Sequence, residues 1–185
     1  LIPTYNNANT ILDVVRRTRK QLKDIIVVVD GCTDNTLDLL QELEFPITIV
    51  SYPKNKGKGH ALKKGFRKAI ELGFEYALTI DSDGQHYPED IPLLIDAIKK
   101  HPGSMIIGSR KLTSENVPGK NKFANKFSNF WFRLQTHINL PDTQTGFRIY
   151  PLNKLYGLSL LTSRYEAELL LLVLAAWHNV PLLPV

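Results

Sequence analysis

Ile25-Ile26-Val27-Val28-Val29-Asp30-Gly31-Cys32-Thr33-Asp34 carries five apolar residues in a row and then turns abruptly polar. An uninterrupted apolar, β-branched run is the mark of a strand buried on both faces, and such strands belong to parallel sheets covered by helices. The flanking sequence agrees. Leu1-Ile2 reads as the remnant of an earlier strand. Thr10–Leu22 reads as a helix, with Ile11, Val14, Val15 and Leu22 on one face and Thr10 and Asp13 spaced as a capping box. Downstream follow a helix near Asp34–Leu43, a strand over Pro46–Tyr52 and a helix over His60–Leu72 stopped by Gly73. Then come a strand over Tyr76–Ile80, a helix over Pro88–Lys100 ended by Pro102, and a short strand at Met105–Ile107. This alternation predicts an α/β fold, a Rossmann-like three-layer α/β/α arrangement with a mostly parallel central sheet. Ligands of such sheets bind beyond the carboxyl ends of the strands, beside a topological switch point.

The pattern changes after Gly108. Arg110–Lys122 is polar and loop-like, and Phe123–Ile138 is an aromatic, basic helix. Thr145–Tyr150 reads as a strand, and Pro151–Leu161 and Tyr165–Trp177 as helices. Val180–Val185 is a short strand that Pro181 and Pro184 confine to a sheet edge. The 185 residues suit a single domain over 1–185, with 110–185 built onto a ligand-binding half at 1–109. The start at Leu1-Ile2-Pro3 without Met, and the end at Pro184-Val185, fit a domain cut from a longer chain.

With 43% hydrophobic and 22% charged residues, disorder is excluded as a description of the whole chain. One cysteine, Cys32, rules out an intrachain disulfide and a cysteine-based zinc site. The formal charge of +5 fits anionic ligands, though only weakly. No secretory signal opens the chain, and no apolar run approaches the roughly 18–20 residues of a membrane span.

The strongest chemical signal is Thr79-Ile80-Asp81-Ser82-Asp83-Gly84-Gln85-His86. A buried strand delivers two carboxylates, one residue apart, onto a glycine-containing loop. Hard divalent cations such as Mg2+ and Mn2+ take oxygen ligands and fill their shells with water and substrate phosphate. Asp81 and Asp83 supply part of such a shell and Gln85 an amide oxygen, and a diphosphate would complete it. A turn that only caps the helix after Pro88 would use the same residues. Asp30, just past its buried strand, is placed to accept hydrogen bonds from a base or ribose. In its turn Gly31 takes positive φ, and Thr33 or Asp34 caps the next helix. Asn55-Lys56-Gly57-Lys58-Gly59-His60-Ala61 brings glycines and lysines to a helix start, which suits an anion. It matches neither the phosphate-loop pattern nor GxGxxG, and it also reads as a solvated turn. Asp142-Thr143-Gln144-Thr145-Gly146-Phe147-Arg148 gathers a carboxylate, an amide, hydroxyls and an arginine ahead of a strand.

Ile2-Pro3-Thr4-Tyr5-Asn6, the Asp30–Asp34 turn, Asn55–Gly59, Asp81–Gln85 and Gly108-Ser109-Arg110 stand in the order and spacing of family 2 glycosyltransferases. The chain resembles that family over essentially its whole length. Asp142–Phe147 and the helix start Tyr165-Glu166-Ala167-Glu168 are similar to the branch that makes polyprenyl- or dolichyl-phosphate sugars. The resemblance implies a GT-A fold, a nucleotide-diphospho-sugar donor (a UDP- or GDP-sugar) and a divalent metal, Mg2+ or Mn2+. By position it implies that Pro3, Thr4, Tyr5, Asn6 and Asp30 surround the nucleoside, and that Lys56, Gly57, Lys58 and Gly59 line the donor pocket. Asp81, Ser82 and Asp83 would hold metal and diphosphate, with Gln85 a further metal ligand and Arg110 facing phosphate. It makes 1–109 the nucleotide-sugar half and 110–185 the acceptor side. Two positions depart from the family pattern. Val29 precedes Asp30 where a second acid is common, which bears on base and ribose contacts, and Cys32 stands where Ser is usual.

Loss of a nucleoside diphosphate from the anomeric carbon places negative charge on the leaving phosphate, so a metal and cations there give the main electrostatic help. Asp81, Asp83 and Arg110 fit that need, and a family-like reaction inverts the anomeric centre by direct attack. A lipid-phosphate acceptor, with a second pKa of about 6, is already largely ionised and needs no strong base. A hydroxyl acceptor needs one. Asp142 is the candidate base; as a loop acid it would instead order Arg148 or cap a turn. Between Arg110 and Arg133, six basic residues (Arg110, Lys111, Lys120, Lys122, Lys126, Arg133) interleave with Phe123, Phe127, Phe130, Trp131 and Phe132 against one acid, Glu115. That mix suits peripheral contact with an anionic membrane, on its cytoplasmic side, and a membrane-borne acceptor. A core-facing aromatic stripe with solvated lysines fits the same spacing. No RNA-binding signature accompanies the aromatics, so nucleic acid is not an expected partner.

Three other readings share parts of this pattern. A haloacid-dehalogenase-like phosphatase places a similar Asp-Ser-Asp-Gly after an apolar strand, but usually with Thr or Val at Gln85 and on the first strand. A nucleotidyltransferase would want a glycine-rich, basic loop where Pro3-Thr4-Tyr5-Asn6-Asn7 stands. A non-catalytic nucleotide-sugar-binding module would keep Asp81 and Asp83 without turnover. Spacing does not select the sugar or the base, and a homo-oligomer is compatible with it.

Overall fold

Ile26–Asp30 forms strand β2, and every one of its residues is buried. It lies parallel to β1 (Ile2–Thr4) on one side and to β3 (Thr48–Tyr52) on the other, with Val27 opposite Ile2 and Ile49. The computed structural model describes residues 1–109, 119–155 and 166–185. A second sheet contains β4 (Tyr76–Thr79), β5 (Met105–Ile107), β6 (Arg148–Pro151) and β7 (Leu182–Pro184), in the order β4-β6-β5-β7. β6 runs antiparallel to both neighbours, while β7 lies parallel to β5 at the edge that its prolines require. The two sheets meet through Leu1, whose backbone nitrogen donates to the Leu78 carbonyl at 2.7 Å and whose carbonyl accepts the Ile80 amide at 3.2 Å. The chain thus builds outward from β1 to β3 and resumes with β4 on the other side of β1. That reversal is a switch point, and it opens a crevice beyond the carboxyl ends of β1 and β4.

Seven helices cover the sheets: α1 (Ile11–Gln21), α2 (Thr36–Gln41), α3 (Lys58–Glu71), α4 (Ile91–Lys100), α5 (Gly119–Thr136), α6 (Leu152–Leu155) and α7 (Glu166–Trp177) among the described residues. The pleat divides the core into two layers. Ile26 and Val28 face Ala61, Leu62 and Phe66 of α3, a layer that also holds Phe132 of α5 and Leu172 of α7. Val27 and Val29 face Ile11, Val14 and Val15 of α1, with Leu40 of α2 and Ile91 and Leu94 of α4. The expected three-layer α/β/α architecture is the one observed.

Several local expectations change. The Thr10 hydroxyl does not cap α1; it donates to the Ser82 carbonyl at 2.6 Å, because the loop after β4 passes over the start of that helix. Asn35 rather than Thr33 or Asp34 is the N-cap of α2; Asp34, one residue earlier, accepts the Thr36 amide at 3.1 Å and the Ala8 amide at 3.2 Å, and α2 shortens to Thr36–Gln41. Helix α3 begins at Lys58, ahead of its apolar periodicity, because Asp30 seats its N-terminus. Pro88–Asp90 is a 3-10 turn that leads into α4. Helix α5 starts at Gly119, inside the stretch read as loop, and Pro151 closes β6 rather than opening a helix. Residues 110–118 and 156–165, with Arg110 and Tyr165 among them, lie outside the described residues.

Gly31 takes φ 64°, as its turn demands, and a Cβ there would strike the backbone of Lys54 and Asn55. Both the conformation and the close approach exclude a side chain. Gly31→Ala is therefore expected to cost about 2–4 kcal/mol, seen as a lower urea midpoint at unchanged slope.

Candidate active site

The crevice is built by the loops that follow β1, β2 and β4. Pro3 and Thr4 are buried in β1, and Tyr5, 46% exposed, is the first side chain to emerge. Asn6, at φ 52°, ties the first two loops together. Its Oδ1 accepts the Thr33 amide at 2.8 Å, and its own amide donates to Cys32 Sγ at 3.2 Å. The Cys32 thiol donates in turn to the Thr4 carbonyl at 3.7 Å, so sulfur serves here as the hydrogen-bonding group. Burial pushes that thiol's pKa up, which keeps it a thiol. Asn7 Nδ2 donates to Ser82 Oγ at 2.8 Å and joins the β1 loop to the carboxylate loop.

Asp30 sits at the buried end of β2. Its two carboxylate oxygens accept the amides of Lys56 and Gly57 at 2.7 and 2.8 Å. Hydrogen bonds to a charged acceptor contribute about 1.5–3 kcal/mol each. These are the donors that an anion at this helix start would have used, and they are committed to Asp30. Lys56 itself is exposed, with Nζ 6.0 Å from the Tyr52 ring centroid, while Gly59 is buried against the sheet.

Lys58, the first residue of α3, points into the crevice. Its Nζ lies 2.5 Å from Asp81 Oδ1 and 3.0 Å from Glu168 Oε2. Burial works against this ammonium, but Glu168 and then Asp81 outweigh it, and its pKa lies above the ordinary lysine value. Burial pushes the Glu168 carboxyl up, Lys58 and Arg148 oppose the rise, and the net direction is upward. Asp81 Oδ2 faces His86 Nε2 at 3.7 Å, and His86 stacks on Phe147 with centroids 5.5 Å apart. Gly146 packs so close to Asp81 that a Cβ there would overlap both carboxylate oxygens. Asp83 is exposed on the loop, its Oδ1 accepting the Gln85 amide at 2.9 Å, and the Gln85 side chain is exposed beside it.

Two carboxylates and an amide oxygen form a hard-oxygen donor set, the chemistry a divalent ion prefers. Among the described residues no three His, Cys, Asp or Glu groups converge as a complete cage. Such a set offers an ion only part of its shell, and Asp81 already faces Lys58 and His86. Asp142 is wholly buried, and its Oδ1 accepts the Gln144 amide at 2.9 Å. Arg148 is buried as well, its guanidinium donating to the carbonyls of Thr143 at 2.8 Å and Glu168 at 2.9 Å. Asp142 is among the groups that stabilise the Arg148 charge against burial, behind Tyr150 and Glu168. The Gln144 amide bond makes Asp142 the acceptor of its own turn.

The sequence assigned Lys58 to a donor-pocket loop and Asp81 and Asp83 to a metal-binding loop; the structure brings Lys58 against Asp81 and leaves Asp83 exposed two residues further on. The sequence did not foresee the contacts of Glu168 with Lys58, of His86 with Asp81, or of the Thr10 hydroxyl with the Ser82 carbonyl. The one available signal was Glu168, an acid inside the apolar run of α7. A hollow of about 500 Å³, lined in part by Lys23, Pro46, Leu72 and Phe74, lies at the opposite end of the sheet, by the starts of β2 and β3.

Residues 1–156 match the family model described as Glycosyl transferase family 2. The UDP-N-acetylglucosamine–dolichyl-phosphate N-acetylglucosaminyltransferase of Methanococcus voltae is 34% identical over 187 residues, covering 90% of this chain and 74% of that protein. The undecaprenyl-phosphate mannosyltransferase of Micrococcus luteus is 30% identical over 168 residues, covering 86% and 68%. Among solved structures, glucosyl-3-phosphoglycerate synthase from Mycobacterium tuberculosis in complex with UDP superposes with a TM-score of 0.75 at 19% identity, covering 99% of this chain and 68% of that one. Its complex with Mn2+, UDP and phosphoglyceric acid gives 0.72 at 18%, covering 99% and 66%. At these identities the structural likeness speaks for the fold, which is GT-A.

Asp30→Asn keeps the size of the side chain but turns one acceptor into a donor that faces an amide. The substitution is expected to cost about 1–3 kcal/mol and to speed hydrogen exchange at Lys56 and Gly57 well beyond the change at β6. Uniform exchange across both regions would contradict the anchoring role.

Proposed function

The chain belongs to glycosyl transferase family 2, and we propose that it is an inverting enzyme that moves a sugar from a nucleoside-diphospho-sugar to a polyprenyl phosphate. The observation that carries this reading is the Asp81-Ser82-Asp83 loop meeting Lys58 at the switch-point crevice. Relatives named for dolichyl phosphate and undecaprenyl phosphate support the acceptor class. Tyr5 and Asn6, emerging from β1, are placed to flank the nucleoside, with Asp30 and Gly31 forming the floor beneath it. Asp83, assisted by Asp81 and Gln85, would hold a divalent ion, as Mn2+ accompanies UDP in the mycobacterial synthase. The ion's contribution, when bound, is positive charge against the leaving diphosphate. Lys58 adds a second positive charge at the same place. Arg110 is the further cation that the family pattern supplies.

A polyprenyl phosphate brings its own ionised oxygen, with a second pKa of about 6, so no residue has to take a proton. The burial of Asp142 and its bond to the Gln144 amide suit that acceptor better than a hydroxyl. Membrane contact has support as well. Phe130, Trp131 and Leu134 of α5 and Trp177 of α7 are all exposed, and Trp177 Nε1 donates to the Gln135 carbonyl at 3.3 Å, so the two helices share one apolar face. Arg133 of α5 is exposed too. The contact proposed is peripheral, on the cytoplasmic leaflet; among the described residues no helix is long and apolar enough to cross a membrane.

The test is donor turnover with a panel of UDP- and GDP-sugars, Mn2+ or Mg2+, and polyprenyl phosphate present or absent. Expected is metal-dependent release of one nucleoside diphosphate, accelerated by the lipid and abolished by EDTA. Asp83→Ala should lower kcat/KM at least about 100-fold. Phosphate release from a simple phosphomonoester without donor turnover would favour a phosphatase, and nucleotide binding without turnover a non-catalytic module.

A further inference from the structure

We propose that Lys58 guards Asp81: its ammonium holds the cation position at that carboxylate until a divalent metal arrives together with a diphosphate. The proposal deepens the donor-site reading and rests on it for the diphosphate. Lys58 Nζ is 2.5 Å from Asp81 Oδ1 and 3.0 Å from Glu168 Oε2, and the three side chains are 17%, 22% and 8% exposed. Solvent ions screen a contact this secluded only weakly. His86 faces the other oxygen of Asp81, and Gly146 backs the carboxylate. Enclosed in this way, Asp81 can join a metal only if Lys58 gives up its place.

The charges of the cluster explain why metal alone is a poor replacement. Asp81 and Glu168 are balanced by Lys58 and by Arg148, whose charge burial and Glu168 act on in opposite senses. Metal alone would leave a partly buried site with uncompensated positive charge. Metal arriving with the donor's paired phosphates leaves the balance intact. Glu168 makes the exchange reversible. Its Oε2 keeps hold of the lysine, and its Oε1 is buried with no hydrogen-bond partner, so it offers the ammonium a second resting place. A buried, unsatisfied carboxylate oxygen otherwise costs stability. Lys58 thereby selects a metal–diphosphate pair over either component, and Glu168, on the acceptor-side helix, positions it.

The experiment is calorimetric titration of Mn2+ alone into the whole chain, without nucleotide, and again with inorganic pyrophosphate. Wild type is expected to bind Mn2+ weakly and to gain affinity when pyrophosphate is present. Lys58→Met is expected to bind Mn2+ alone at least about tenfold more tightly, with a smaller gain from pyrophosphate. Because Lys58→Met strands a buried carboxylate, the Lys58→Met/Glu168→Gln double variant runs beside it, with folding checked by thermal melting. It should show the same tightening. Variants that fold but bind Mn2+ no more tightly than wild type overturn the proposal. No turnover is needed for this readout. Tight Mn2+ binding by the variants of a chain that transfers no sugar would sink the transferase reading and leave the guard standing, and the converse would sink the guard alone.

Discussion

The Asp30 carboxylate accepts the amides of Lys56 and Gly57 from a buried position at the end of β2, and the geometry of the crevice follows from those two bonds. A carboxylate at that depth is tolerable only because both oxygens are satisfied. Its bonds fix the point at which α3 leaves the β3 loop and therefore where Lys58, the first helical residue, projects. Gly31 completes the constraint from the next position. Lacking a Cβ, it lets the Lys54-Asn55 backbone pass directly over the turn. Asp30 grips the loop and Gly31 makes room for it, so the two adjacent residues shape the donor side together.

From Lys58 the organisation spreads to the other half of the chain. Its ammonium joins Asp81, at the end of β4, to Glu168 on α7. The antiparallel insertion of β6 between β4 and β5 brings Gly146, Phe147 and Arg148 up against the same carboxylate loop. Phe147 supplies the surface on which His86 stacks, and the Thr79 hydroxyl donates to the Gly146 carbonyl at 2.6 Å. The loop after β4, the start of α3 and helix α7 are therefore one electrostatic unit. Four opposed charges at its centre are held in place by residues far apart in sequence.

That long-range character explains what could be read in advance. The buried runs of β2 and β4 and the apolar faces of α1 and α4 are local patterns, and they placed the three layers and the carboxyl-end crevice correctly. Asp81 and Asp83 follow one strand and Lys58 another, so their position at the carboxyl ends was legible, whereas the contact between Lys58 and Asp81 was not. The direction of β6 was not, because strand orientation depends on partners that periodicity does not name. The capping box at Thr10 failed for the same reason: its spacing is local, whereas Ser82, which captured the hydroxyl, comes from the other side of the switch point. Glu168 entered only as part of the Tyr165–Glu168 helix start, and nothing local pairs it with Lys58. The Asp30 carboxylate was expected to serve a ligand, and the structure shows it serving the backbone first.

In the proposed function the nucleotide binds in the crevice at the carboxyl ends of β1, β2 and β4. The most direct measurement is a two-dimensional amide NMR titration of the isotope-labelled chain with UDP or GDP and diamagnetic Mg2+. The predicted result is saturable shifts at Tyr5–Ala8, Cys32 and Thr33, Lys56–Gly59 and Ser82–Gln85, with little change around Lys23, Leu72 and Phe74. Saturable shifts centred on the opposite hollow, leaving the loops after β1, β2 and β4 unmoved, would contradict it.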